Sequence, residues 1–237
     1  MTKTVIQFDH AALKAACRIM AKSDIRYYLN GVYIEATPTE TVLAATDGHR
    51  LLVLRKEVPN DVRQVETLII PGEVAQRIVA GSLKAVRQIS LTQVDEGKWL
   101  VPLLKWDMEV AFRSVEGMFP NWRAVVPKAT SGEAANIKPQ YLADFEKAAQ
   151  DMYGSLKHHS SSIEVRHNGP GGALVFPSAY SGQDFVGVVM PCVPDTNPRT
   201  TPPDWVLTEE PKLISARRAL VARPVAKQNP QQAEAHA

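Results

Sequence analysis

Residues Ala44 to Val53 read AATDGHRLLV, two apolar arms joined through Asp47-Gly48. Glycine supplies a positive φ at no steric cost, and aspartate bonds the backbone two residues on. The pair therefore marks a tight turn between two strands. The same corner carries an acid and an imidazole, Asp47 and His49, as an acid-base pair would. Residues two apart across a turn diverge, however, and no Ser or Cys nucleophile stands nearby in sequence. The turn reading explains every residue of the stretch, and no catalytic residue is assigned.

Outward from this hairpin, Asn30-Gly31 and Pro38-Thr39 separate further short apolar runs, which makes a small antiparallel meander. Ahead of it, Thr4–Phe8 alternates as a strand, and Asp9 can cap a helix over His10–Lys22 whose apolar stripe is Leu13, Ala16, Cys17 and Met20. The order then repeats. Leu68-Ile69-Ile70 reads as a strand, Pro71 opens a helix reaching Val86, and RQISLTQV, GKWLVPLL and MEVAFRSV read as strands. Pro102 argues against the middle one, because it donates no ladder bond.

EGMFPNWRAVVPKATSGEAA reads as a linker. Beyond it, Pro139 opens a helix, followed by the strands SSSIEVRH, ALVFP and FVGVVM with the turn NGPGG between the first two. Three recurrences of strand, helix and strands, without residue-level identity, predict an α+β fold of internally repeated units, helices covering one face of curved antiparallel sheets. From Pro194 the chain is proline-rich and polar, a basic tail expected to lack fixed order.

At 237 residues, 45% hydrophobic and 22% charged, the chain can bury a sizeable core. A formal charge of +2 does not by itself point to a polyanion, though it can hide a basic stripe. Two cysteines in unrelated contexts, no signal-like apolar start and no apolar run of membrane length predict a cytoplasmic protein with no membrane partner. His158-His159 and His167 lack the four-residue helical spacing of a zinc site. Gly169, Gly171 and Gly172 lack the Lys-Ser/Thr ending of a phosphate loop and read as hairpin glycines. No metal and no cofactor is predicted.

Basic residues recur on the expected helices: Lys14, Arg18 and Lys22 in the first unit, Arg77, Lys84 and Arg87 in the second, Lys138, Lys147 and Lys157 in the third. Packed symmetrically, they would present positive charge on a shared surface. Such a surface attracts double-stranded DNA through its phosphates without reading sequence. Read singly, each is also an ordinary solvent-facing cation.

RYYLNGVYIEA, LAATDGHRLLVL, VEGMFPNWRAVVP and FVGVVMPCV stand in the order found in the bacterial DNA polymerase III beta sliding clamp family, which this sequence resembles from about Val5 to Val193. The resemblance implies the clamp fold, with sheets outside and helices facing a central DNA hole. It implies a non-enzymatic replication accessory that tethers polymerase to DNA, and a homo-oligomer loaded by an ATP-driven partner. It also implies a cleft for short peptides from DNA polymerases and clamp loaders. Matched residue by residue, that cleft takes Leu29, Thr46, Gly48, His49, Arg50, Leu51, Pro120, Val125, Val188, Met190 and Pro191. Leu29, Leu51, Val125, Val188 and Met190 would supply apolar wall, and His49 or Arg50 would orient polar groups of the peptide. Ala124 and Cys192 depart from the family pattern, where a basic residue and a methionine are familiar.

The resemblance implies a division into residues 1–122, a two-unit domain like the family's middle domain; 123–193, a shortened last domain; and the tail 194–237. About three units stand where the family has six. A clamp-like peptide-binding or competitor protein that does not encircle DNA is therefore the alternative function.

Overall fold

A computed structural model of the chain describes residues 4–83, 87–154, 163–177, 184–192 and 201–202. The first unit holds β1 (Val5–Asp9), α1 (His10–Ile19), β2 (Gly31–Ala36), β3 (Glu40–Thr46) and β4 (Arg50–Glu57). The second repeats the order with β5 (Glu66–Pro71), α2 (Gly72–Gly81), β6 (Gln88–Asp95), β7 (Lys98–Leu103) and β8 (Met108–Arg113). A single helical turn, α3 (Trp122–Val125), precedes α4 (Pro139–Tyr153), β9 (Ile163–Arg166), β10 (Ala173–Pro177) and β11 (Phe185–Val189).

The two full units exchange their first strands. One sheet runs β1-β6-β7-β8, and the other runs β5-β2-β3-β4-β11-β10-β9, every pairing antiparallel. Neither unit can close its sheet alone, so the repeat is also the interlock. Pro102 is tolerated because the ladder between β6 and β7 ends at Leu100.

Period-two alternation then sorts the side chains. Leu43 and Ala45 on β3, with Leu52 and Leu54 on β4, join α1, α2 and α4 in the larger core. Val42 and Ala44, with Leu51 and Val53, point the opposite way into a second core. Both faces of the AATDGHRLLV hairpin are buried, which explains its nearly unbroken apolar arms.

Asp9 caps α1 by accepting the Ala11 amide at 2.7 Å. The helix ends at Ile19, so Lys22 lies past its last turn rather than on the expected stripe. The second helix likewise stops at Gly81, short of Val86, and Lys84 falls outside the described residues. Lys157, His158, His159 and the tail from 203 onward fall outside them too. At the junction with β11, a Cβ on Gly187 would meet Phe145 of α4 at 2.8 Å. Glycine there lets a fully buried aromatic ring seat against the sheet.

Val115, expected to end a strand, and Glu116 to Val126, expected as part of a linker, form a strap across the second face of the larger sheet. Val115 donates its amide to Ile69 O at 3.0 Å, and Phe119 stacks on Tyr33 with centroids 4.9 Å apart. Arg123 bridges to Glu35 at 2.9 and 2.5 Å and lies 4.0 Å over the Trp122 ring. Its aromatic residues supply the apolar cover that a linker does not need.

Candidate functional site

Between the strap and the hairpin lies a groove of about 350 Å³. Leu29, Thr46, Gly48, His49, Arg50, Leu51, Pro120, Val125, Val188 and Met190 line it, ten positions expected from sequence, drawn from four separate segments. Pro191 is not among its lining residues. Arg26, Phe119 and Trp122 are, and sequence reasoning did not single them out. All three sit inside the quoted motifs; what was missing is the strap, whose packing has no periodic signature.

The hairpin tip is held by its own side chains. Asp47 accepts the amides of His49 at 3.0 Å and Arg50 at 3.1 Å, while the Thr46 hydroxyl accepts the Gly48 amide at 3.0 Å and donates to Arg50 O at 2.6 Å. Gly48 adopts φ 88, and a Cβ there would meet the Arg26 guanidinium at 2.6 Å. Arg26 in turn is clasped by Asp24 at 2.8 Å, and those hydrogen bonds hold the Asp24 carboxyl down to about 2.

Arg50 is not free to orient a ligand in the way expected. Its Nε bonds Asp47 at 3.0 Å, its Nη1 bonds Asp144 of α4 at 2.7 Å, and its Cζ lies 4.8 Å over Tyr141. With 9% of its side chain exposed, it ties the hairpin to the helix layer. His49 stacks against Tyr141 at 6.3 Å, and its carbonyl accepts the Met190 amide at 2.9 Å. Met190 at 41% exposure and Val125 at 46% form open apolar edges, while Leu29, Leu51 and Val188 make the buried floor. The Trp122 indole N–H is buried with no hydrogen-bond partner among the described residues. The site is a mostly apolar trough with a structured polar end.

The basic residues have mixed company. Lys14 and Arg18 both pair with Asp151 of α4, the former at 2.8 Å. Burial alone would raise the Asp151 carboxyl, but hydrogen bonds from Arg18 and Lys14 hold it below the usual carboxylate range. Lys147 lies 4.0 Å from Asp144, and Lys138 lies 5.2 Å over the Tyr141 ring. Arg77 on α2, Lys22 and Arg87 are exposed. Charge on α1 is thus partly neutralised by α4, a relation that sequence spacing cannot express.

Among the described residues no three His, Cys, Asp or Glu side chains gather to hold a metal, and no helix is long and apolar enough to cross a membrane. His167 accepts the Ala135 amide at 3.4 Å through Nδ1 and the Gly132 amide at 3.0 Å through its carbonyl, pinning the segment ahead of α4. Gly169 takes φ 54 in the turn between β9 and β10, as a hairpin glycine does.

Interlocked strand-helix-strands units, with helices on one side of antiparallel sheets, define the clamp class of fold. Residues 10–121 match the family model described as "DNA polymerase III beta subunit, central domain". The beta sliding clamp of Vibrio cholerae is 32% identical over 150 residues, 63% of this chain and 39% of that protein. The beta sliding clamp of Escherichia coli K12 is 30% identical over 113 residues, 46% of this chain and 29% of its own length. The chain therefore spans well under half the length of these relatives.

Among solved structures, the DNA polymerase III beta subunit of Thermotoga maritima superposes with a TM-score of 0.64 at 14% identity, covering 82% of this chain and 67% of that one. The beta subunit from Pseudomonas aeruginosa gives 0.62 at 16% identity, covering 79% and 65%. At such identities the likeness speaks for the fold.

Proposed function

We propose that this chain is a sliding clamp-like DNA replication accessory protein that holds a short apolar segment of a polymerase or clamp-loader protein in the groove beside the hairpin tip. The observation that carries this reading is the convergence of ten family-pattern positions on one trough, apolar along its floor and polar at one end. A concave apolar surface with few fixed polar groups suits an extended peptide, because side chains give affinity and the polar end gives direction. The proposal includes the division at residues 122 and 123, sequence-independent contact with duplex DNA through the helix layer, and assembly into a homo-oligomer.

Fluorescence anisotropy with labelled peptides from polymerase clamp-binding segments tests it. Saturable binding that weakens at least about tenfold in Met190→Asp, with the fold retained, is expected. Absence of binding by the unaltered chain would overturn the peptide reading.

Pairing of Lys14 and Arg18 with Asp151 favours a second reading, a clamp-like protein that binds such peptides without encircling DNA. Retention on circular but not linear duplex separates the two, because only a topological link is lost at a free end.

A further inference from the structure

Two sheet edges occupy equivalent places in the paired units and have different fates. β4 is extended by β11, in register from Arg50 opposite Val189 to Leu54 opposite Phe185. β8 holds the matching place in the second unit, and no described strand lies beyond it. An edge strand keeps a row of unpaired amides and carbonyls, which makes it a template for another strand.

The direction of that row follows from one bond. Ser114 donates its amide to Gly97 O at 2.9 Å, toward β7. With a two-residue period, Met108, Val110 and Phe112 also turn their backbone groups to β7, and Glu109, Ala111 and Arg113 turn theirs to the open edge. These last three are exposed. Glu109 and Arg113 form no ion pair among the described residues, and their cross-strand neighbours on β7 are Pro102 and Lys98.

We propose that β8 pairs antiparallel with β8 of a second copy about a two-fold axis at Ala111, so that Glu109 of each copy lies opposite Arg113 of the other. Charge selects this register. An axis at Glu109 or Arg113 sets a like charge against itself, and axes at Val110 or Phe112 leave a charge opposite Ala111. Only the Ala111 register satisfies both charges and all three outward-facing backbone positions, and it places Val110 opposite Phe112 on the core side. Exposed Trp106 and Met108 flank the edge and add apolar surface to bury. The inference rests on strand order and charge, not on the peptide groove.

Sedimentation of the full chain over a range of concentrations is expected to show a monomer-dimer equilibrium. Glu109→Arg and Arg113→Glu should each weaken it at least about tenfold, since both cross-strand pairs turn repulsive. An equal mixture of the two variants should recover the dimer, because each supplies the charge that the other lacks. Hydrogen exchange at the Ala111 amide should slow as the dimer forms. Circular dichroism keeps the variants interpretable as folded chains. A wild-type chain that stays monomeric, growth beyond dimers, a mixture that fails to recover, or unchanged exchange at Ala111 would each overturn the proposal.

Discussion

Arg50 Nη1 stands 2.7 Å from Asp144 Oδ2, so the hairpin that begins the groove is bolted to a helix 94 residues further along the chain. Asp144→Asn keeps the shape but removes the charge from a nearly buried guanidinium, with Asp47 still in place. The expected loss is about 1–2 kcal/mol in urea denaturation. Peptide affinity should fall with it, because the polar end of the groove is built on this bolt.

Gly48→Ala should cost on the order of 1 kcal/mol, since φ 88 is a strained conformation for any L side chain. The new methyl also displaces the Arg26 guanidinium, a flexible group that can move aside. Thermal unfolding measures the first effect. A change in peptide affinity larger than the change in stability would identify Arg26 as part of the binding surface.

The Asp151 carboxyl is held below its ordinary value, and its stabilising contribution has a defined pH window. A depressed acid adds stability above the unfolded value, near 3.9, and loses it as pH falls through the folded value. Asp151→Asn should therefore lower stability at pH 7 by on the order of 1 kcal/mol, its partners being half exposed. The difference from wild type should close below about pH 4 in a series of denaturation curves.

Cys17 and Cys192 should react at very different rates. Burial first, and the Asp151 charge second, push the Cys17 thiol up to about 12, whereas Cys192 is exposed. At pH 8 only about one Cys17 in ten thousand is thiolate. A thiol reagent should therefore label one cysteine quickly, with mass spectrometry placing it at Cys192.

On the DNA reading, exposed Arg77 contributes a cation on α2 with no ion pair among the described residues. Arg77→Ala should reduce the slope of log affinity against log salt by about 0.9, with no change in sequence preference. An unchanged slope would remove α2 from the DNA-facing surface.

The sequence by itself determined the local elements: two of the three expected recurrences of strand, helix and strands in full, the third without a leading strand among the described residues, with the Asp9 cap, the Asp47-Gly48 turn and the Pro139 helix start. Each depends on interactions within a few residues, where periodicity and turn chemistry are written directly. It also held most of the groove, because ten lining positions fall within short ordered motifs. Only the tertiary structure decided the exchange of β1 and β5 between sheets, the strap over the second face and the commitment of Lys14, Arg18 and Arg50 to Asp151 and Asp144. These are contacts between residues far apart in the chain. A charge on a helix reads the same in sequence whether it meets solvent or a carboxylate brought to it by folding.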